Sequence, residues 1–275
     1  MNTCDSCKQT LPQNLFPKKK FAQAGAPICR QCKRNRTAER CKQPTKEQLK
    51  QGRHSASGAR MRPNNHGYVT YIDHLFSLEC FPDIVALRAF GSAKDVSESF
   101  AAIQAACVHG LIGGKDTAKN KVKCLCIGDG STPRTAVLAC FLKKWECVSI
   151  DPALKEEWAG VNPMGVRGLT GYSGTLEEYL STENKDGVSG CDVLVLLCVH
   201  SHARLTGDAS VPSIMARFGN ARTTLVSLPC CPRFRSQKDV GRKPDVCYED
   251  ECVFSACRRV EVWNFVFMCT LAIPC

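Results

Sequence analysis

The stretch Lys121 to Pro152, KVKCLCIGDGSTPRTAVLACFLKKWECVSIDP, constrains the fold of this chain more than any other. Val122 to Ile127 is a short apolar run of the kind that forms a buried strand. It ends in Gly128-Asp129-Gly130, where the backbone turns sharply and approaches a ligand without interference from Cβ atoms. Thr132 is a suitable N-cap and Pro133 a suitable first helical residue, because proline presets φ and lacks only an N–H that has no helical partner there. The helix predicted from about Pro133 to Lys144 spaces Ala136, Val137, Cys140 and Phe141 to cover a sheet. A second strand, Glu146 to Ile150, then delivers Asp151 at its carboxyl end. In open α/β sheets that edge receives nucleoside-bearing cofactors: glycines lie under the linker, and an acid about 20 positions on accepts from the ribose hydroxyls. A purely structural βαβ turn is the alternative reading.

Charge divides the chain in two. Residues 1 to 66 hold 15 lysines and arginines against 3 acids, whereas residues 67 to 275 hold 22 against 23, so the whole excess of +11 lies in the N-terminal arm. An arm of this density attracts polyanions such as nucleic acid, or is simply a solvated segment. The 20 cysteines occur in a chain that starts MNTCDSCKQT without a hydrophobic signal, which points to a reducing nucleus or cytoplasm rather than secretion. Most of the later cysteines sit within apolar segments, where a thiol behaves as a small hydrophobe. The sequence holds no apolar run of about 18 residues that would span a membrane.

The arm opens with C-x-x-C at Cys4 and Cys7 and repeats it at Cys29 and Cys32. Four thiolates on two knuckles suit a tetrahedral Zn²⁺ that holds a small module together and leaves no open position for water. Residues 1–41 are thus expected to form a Cys4 zinc finger, followed by a basic flexible linker, 42–67, and an α/β domain, 68–275. The finger sequence CDSCKQTLPQNLFPKKK…CRQCKRNR, with its Leu15 and Phe16 pair, resembles the Stc-type finger of adaptors that join small-RNA machinery to chromatin. That resemblance implies a role in recruiting nucleic acid or a chromatin-associated protein.

Amphipathic spacing predicts helices from about Tyr71 to Phe90, broken at Phe81-Pro82, and from Asp95 to His109, covering one face of the sheet. After Asp151 a short strand is expected near Gly165 to Leu169. Trp158 is read either as a flank for a cofactor base or as a surface-packed residue. Thr175 and Glu178 form a capping box for a helix reaching about Thr182. Asp192 to Val199 is the strongest strand signal, apolar enough to be covered on both faces, and ends in His200-Ser201-His202. A helix over Ser210 to Phe218 and a strand over Arg222 to Ser227 lead to Leu228-Pro229-Cys230-Cys231-Pro232-Arg233-Phe234. Strands over Cys247 to Phe254 and Arg259 to Phe267 are expected to close the sheet as a hairpin.

This order resembles the class I S-adenosylmethionine-dependent methyltransferases, and DVLVLLCVHSHA with TLVSLPCCPRF is similar to a branch carrying LH-x-C and PCC motifs, which includes RNA-directed enzymes. The resemblance implies a Rossmann-like, mostly parallel seven-stranded sheet with a terminal antiparallel hairpin. It also implies that Gly128, Asp129 and Gly130 contact the amino-acid part of S-adenosylmethionine and Asp151 its ribose, with His200 or His202 as a catalytic base beside the methyl acceptor. Pro133 stands where the superfamily has a third glycine, and no Asn-Pro-Pro-Tyr tetrapeptide follows the fourth strand. Cys230 and Cys231 are read either as a nucleophilic site or as a packed turn. A methyltransferase acting on RNA or a chromatin-associated substrate is therefore the first reading. A catalytically silent adaptor is the second. A nicotinamide-dependent oxidoreductase, with Arg134 holding a pyrophosphate, is the third.

Overall fold

Every residue from Val193 to Cys198 is buried, because both faces of this strand are covered by other elements. The computed structural model describes residues 2–3, 10–11, 62–64, 67–112, 120–182, 190–230 and 236–266. Cys4, Cys7, Cys29 and Cys32, and with them the predicted zinc finger, lie outside the described residues. The chain divides into two compact units, Met1–Tyr68 and Val69–Cys275. In the first, β1 (Asn2–Thr3) pairs antiparallel with β2 (Thr10–Leu11). A second two-stranded ribbon joins β3 (Arg62–Asn64) to β4 (Gly67–Val69).

The second unit begins with three helices, α1 (Tyr71–Phe76), α2 (Phe81–Ala86) and α3 (Ala93–His109). Thr70 caps α1 in a reciprocal box with Asp73, and Pro82 occupies the first turn of α2, where its missing N–H costs no helical bond. β5 (Val122–Ile127), α4 (Arg134–Lys143) and β6 (Glu146–Ile150) form the βαβ unit. The chain continues through β7 (Gly160–Val161), β8 (Leu169–Tyr172), α5 (Leu176–Thr182), β9 (Val193–Val199), α6 (Val211–Arg217) and β10 (Arg222–Leu228). It ends with α7 (Ser236–Val240), β11 (Val246–Glu249) and β12 (Arg259–Phe265).

These strands make one mixed sheet in the order β11-β12-β10-β9-β5-β6-β8-β7. β5 pairs parallel with both β6 and β9, β9 pairs parallel with β10, and β12 inserts antiparallel between β10 and β11. Alternation of side chains gives the central strands β5 and β9 two apolar faces. Val122, Cys124, Cys126, Val193, Val195 and Leu197 meet α3 and α4 on one side. Leu125, Ile127, Leu194 and Leu196 meet α5 and α6 on the other. The thiols of Cys124, Cys126 and Cys147 are part of this packing, each at most 1% exposed.

Four sequence expectations change. The sheet has eight strands rather than seven, because the two-residue β7 adds an antiparallel edge next to β8. The strand expected near Gly165–Leu169 is Leu169–Tyr172, since Pro163–Gly165 forms a 3-10 turn. The strand expected over Cys247–Phe254 stops at Glu249: Asp250 accepts from the Cys252 N–H at 3.0 Å and from the Tyr71 hydroxyl at 2.6 Å, turning the chain there. Trp158 is neither a cofactor flank nor a surface residue; it is 2% exposed and belongs to the core. The capping box of α5 forms as expected, with Glu178 N–H on Thr175 Oγ1 at 3.2 Å and Thr175 N–H on Glu178 Oε2 at 2.7 Å.

Trp158 imposes a strict size limit on β8. A Cβ added to Gly171 lies 1.7 Å from the Trp158 carbonyl oxygen, an overlap with backbone that no rotamer change relieves. Gly171→Ala is expected to cost about 3 kcal/mol and to lower the melting temperature by roughly 6–12 °C, measured by thermal unfolding followed by circular dichroism.

Candidate active site

The chain runs from β5 outward through β6 to β8 and then returns to β9 on the opposite side of β5, so the carboxyl ends of β5 and β9 mark the point where strand order reverses. Loops leaving such a point diverge to opposite faces of the sheet and open a crevice between them. The loops that leave here are Gly128-Asp129-Gly130 and His200-Ser201-His202, with Asp151 following β6 beside them.

Gly128 and Gly130 have φ of 70° and 90°, a region that residues with a Cβ enter only with strain. Gly128 N–H donates to the Ile150 carbonyl at 2.8 Å, and Gly130 N–H donates to Asp151 Oδ2 at 2.8 Å. The other oxygen, Asp151 Oδ1, accepts from Ala153 N–H at 2.7 Å. The turn and the acid thus share one edge, but they touch rather than standing apart to hold opposite ends of a ligand. A carboxylate oxygen has two acceptor positions, so each oxygen of the half-buried Asp151 keeps one for a hydroxyl donor.

Asp129 has a different place from the one expected of a cofactor contact. It is 4% exposed, and its carboxylate accepts from Thr135 N–H at 3.0 Å, Ala136 N–H at 3.1 Å and the Ser149 hydroxyl at 3.3 Å. Burial pushes its carboxyl above the usual range, and the backbone bonds from Thr135 and Ala136 pull the other way. Asp129 therefore caps α4 from upstream. Thr132, the cap expected from sequence, instead donates its hydroxyl to the Ala89 carbonyl at 2.8 Å. Arg134 pairs with Asp95 at 2.7 Å, and its guanidinium lies over the turn, 2.9 Å from where a Cβ on Gly130 would be.

Both histidines lie at the edge. His200 has a left-handed backbone, with φ of 54°, and its N–H donates to the Leu228 carbonyl at 2.9 Å, tying the loop to the end of β10. Its Nε2 stands 2.6 Å from Oε1 of Glu98 on α3, a side chain only 3% exposed, and Lys94 Nζ approaches Glu98 at 3.6 Å. Glu98 is not evident as a site residue from sequence. Its signal is an acid in VSESFAAIQAA whose neighbours one turn on, Ala101 and Ala102, are fully buried. Ser201 rests on Gly128, where an added Cβ would come within 2.6 Å of Ser201 Oγ. His202 Nε2 lies 3.0 Å from Cys230 Sγ. A second acid that sequence patterns do not single out, Glu261, is fully buried on β12 opposite Ser227, with Arg259 Nε at 2.7 Å from Oε1. Among the described residues no cluster of His, Cys, Asp and Glu is arranged to hold a metal ion, and no helix is long and apolar enough to cross a membrane.

No family model matches the chain, and no curated protein matches it. Among solved structures it is similar to a mutant of MtNAS in complex with S-adenosylmethionine, at 12% identity and a TM-score of 0.35, over 71% of this chain and 70% of that one. It is also similar to MtNAS in complex with MTA and tNA, at 13% identity and a TM-score of 0.41, over 72% and 69%. A cyclopropane-fatty-acyl-phospholipid synthase-like protein from Lactobacillus casei overlaps at 16% identity and a TM-score of 0.33, over 56% of this chain and 59% of that one.

The hydrogen bonds of Asp129 rank the residues that hold the turn. Asp129→Ala strips the acceptors from two helix amides and is expected to cost about 2–4 kcal/mol, whereas Ser149→Ala removes one donor and costs about 1 kcal/mol. Urea unfolding of the two variants checks that order.

Proposed function

We propose that residues 69–275 form an S-adenosylmethionine-dependent methyltransferase, brought by its N-terminal zinc finger and basic linker to RNA or to an RNA- or chromatin-associated substrate. The observation that carries the reading is the hydrogen-bonded pairing of the Gly128–Gly130 turn with Asp151 at the strand-order reversal. The residues fit an adenosyl compound better than a dinucleotide. A pyrophosphate needs the free amides of a helix N-terminus, and the Asp129 carboxylate already takes those of Thr135 and Ala136. Arg134, the other phosphate-binding candidate, is tied to Asp95. Both features disfavour the nicotinamide reading. Asp151 keeps acceptor positions for ribose hydroxyls, and Asp129 acts as a support for the turn rather than as a contact.

The bound cofactor supplies a sulfonium methyl that is already activated for transfer. What remains for the protein is to align the acceptor and to take its proton. His200 suits the proton-accepting role because its imidazole lies at the strand-order reversal, with Nε2 2.6 Å from the buried Glu98 carboxylate. Structural zinc rests on the spacing of Cys4, Cys7, Cys29 and Cys32. The RNA or chromatin contact rests on the charge of the arm and the Stc-type resemblance.

A catalytically silent adaptor is the second reading, favoured by Ser201 against Gly128 and Arg134 over Gly130, which narrow the turn on both sides. Thermal shift of the full chain separates the readings. S-adenosylmethionine and S-adenosylhomocysteine are expected to raise the melting temperature, by about 2.7 kcal/mol of stabilisation at a hundredfold excess over Kd, and NAD is not. Asp151→Ala is expected to abolish the shift. No shift with either adenosyl compound sinks the enzyme reading. Deletion of residues 1–66 is expected to weaken RNA binding and flatten its salt dependence, measured by fluorescence anisotropy over a salt series; equal binding clears the arm of that role.

A further inference from the structure

The loops that follow β9 and β10 leave the same edge side by side, since the two strands run parallel with Val199 paired to Leu228. They bring together two side chains that are left without a role once His200 is taken as the base of the methyl-transfer reading. His202 Nε2 lies 3.0 Å from Cys230 Sγ, close enough for a hydrogen bond along which a proton can pass from sulfur to nitrogen. A third group fixes the geometry: Cys257 Sγ donates to the Cys230 carbonyl at 3.1 Å and anchors the backbone that carries the thiol. His202 is exposed and Cys230 half-buried, so an incoming molecule can reach both. The core thiols differ in kind. Cys124, Cys126 and Cys198 are sealed in the core, and burial pushes the Cys126 and Cys198 thiols up to about 12.

We propose that Cys230 and His202 form a nucleophilic thiol–imidazole pair that takes an electrophilic carbon, the conjugated unsaturated carbon of a substrate or an alkylating reagent in its place. The Cys230 proton moves to His202 Nε2 and the thiolate attacks. With a conjugated acceptor, the Sγ–C bond forms while the π pair moves to the electron-withdrawing end and collects the proton from Nε2. Expulsion of the thiolate reverses the same steps. With iodoacetamide, the Sγ–C bond forms, iodide leaves with the bonding pair, and His202 releases its proton to solvent. No oxidant, metal or second cofactor is required, and the pair does not depend on whether the domain transfers methyl groups.

Cys247, exposed on β11, provides an internal reference within the same molecule. The full-length chain is treated near neutral pH with less than one equivalent of iodoacetamide, and the labelled peptides are sequenced by tandem mass spectrometry, which distinguishes Cys230 from its neighbour Cys231. Cys230 is expected to be labelled about tenfold faster than Cys247 although it is the less exposed. His202→Gln, which keeps a polar side chain but no base, is expected to bring Cys230 down to the rate of Cys247. Cys126 reports on folding in the same digest: if it becomes labelled in the variant, the wild-type ratio alone decides. Equal or slower labelling of Cys230 in the wild type, or a folded His202→Gln chain that keeps the fast rate, overturns the proposal.

Discussion

One buried carboxylate holds the centre of this domain together. Asp129 leaves the end of β5, reaches into the first turn of α4 and also accepts from Ser149 on β6, so strand, helix and neighbouring strand meet at a single side chain. A carboxylate removed from water is costly unless its oxygens are satisfied, and here three donors converge on it. The arrangement explains why the turn is glycine-rich. With Asp129 directed inward, the flanking residues take left-handed backbones, and the space above them is limited by Ser201 on one side and Arg134 on the other.

The same carboxylate governs what the edge can bind. In many α/β proteins the helix amides at this place meet a phosphate; here an acid built into the turn occupies them. Under the proposed methyltransferase reading, recognition falls to Asp151 and to the residues that follow β9. On the far side of the turn, Glu98 comes from a helix that precedes the sheet in the chain and reaches His200, while His202 turns to Cys230. Two histidines in one short loop thus serve different partners. The reason is the left-handed backbone at His200, which redirects the chain between them.

Much of the fold was legible along the chain. Glycine turn, capped helices and doubly apolar strands are local patterns, and β5, α4, β6, α5 and β9 appear close to where periodicity places them. The failures arise where a contact made in the fold overrides a local preference, or where an element is too short to signal itself. Thr132 lost the cap of α4 to Asp129 because the buried carboxylate offers two acceptors to the helix amides. Tyr71, from the start of the domain, helped Asp250 to end β11 early. β7 is too short to leave a periodic signal of its own, and it exists because β8 offers it an edge.

The sequence by itself determined the alternation of strand and helix, the concentration of positive charge in the first 66 residues and the presence of polar residues at the strand ends, since each is a property of neighbours along the chain. Only the tertiary structure decided which polar residues meet. Asp95 with Arg134, Glu98 with His200 and His202 with Cys230 are pairs separated by dozens of positions. Sheet order and helix packing bring them together, and no local pattern encodes the short distance across which a proton or a charge can act.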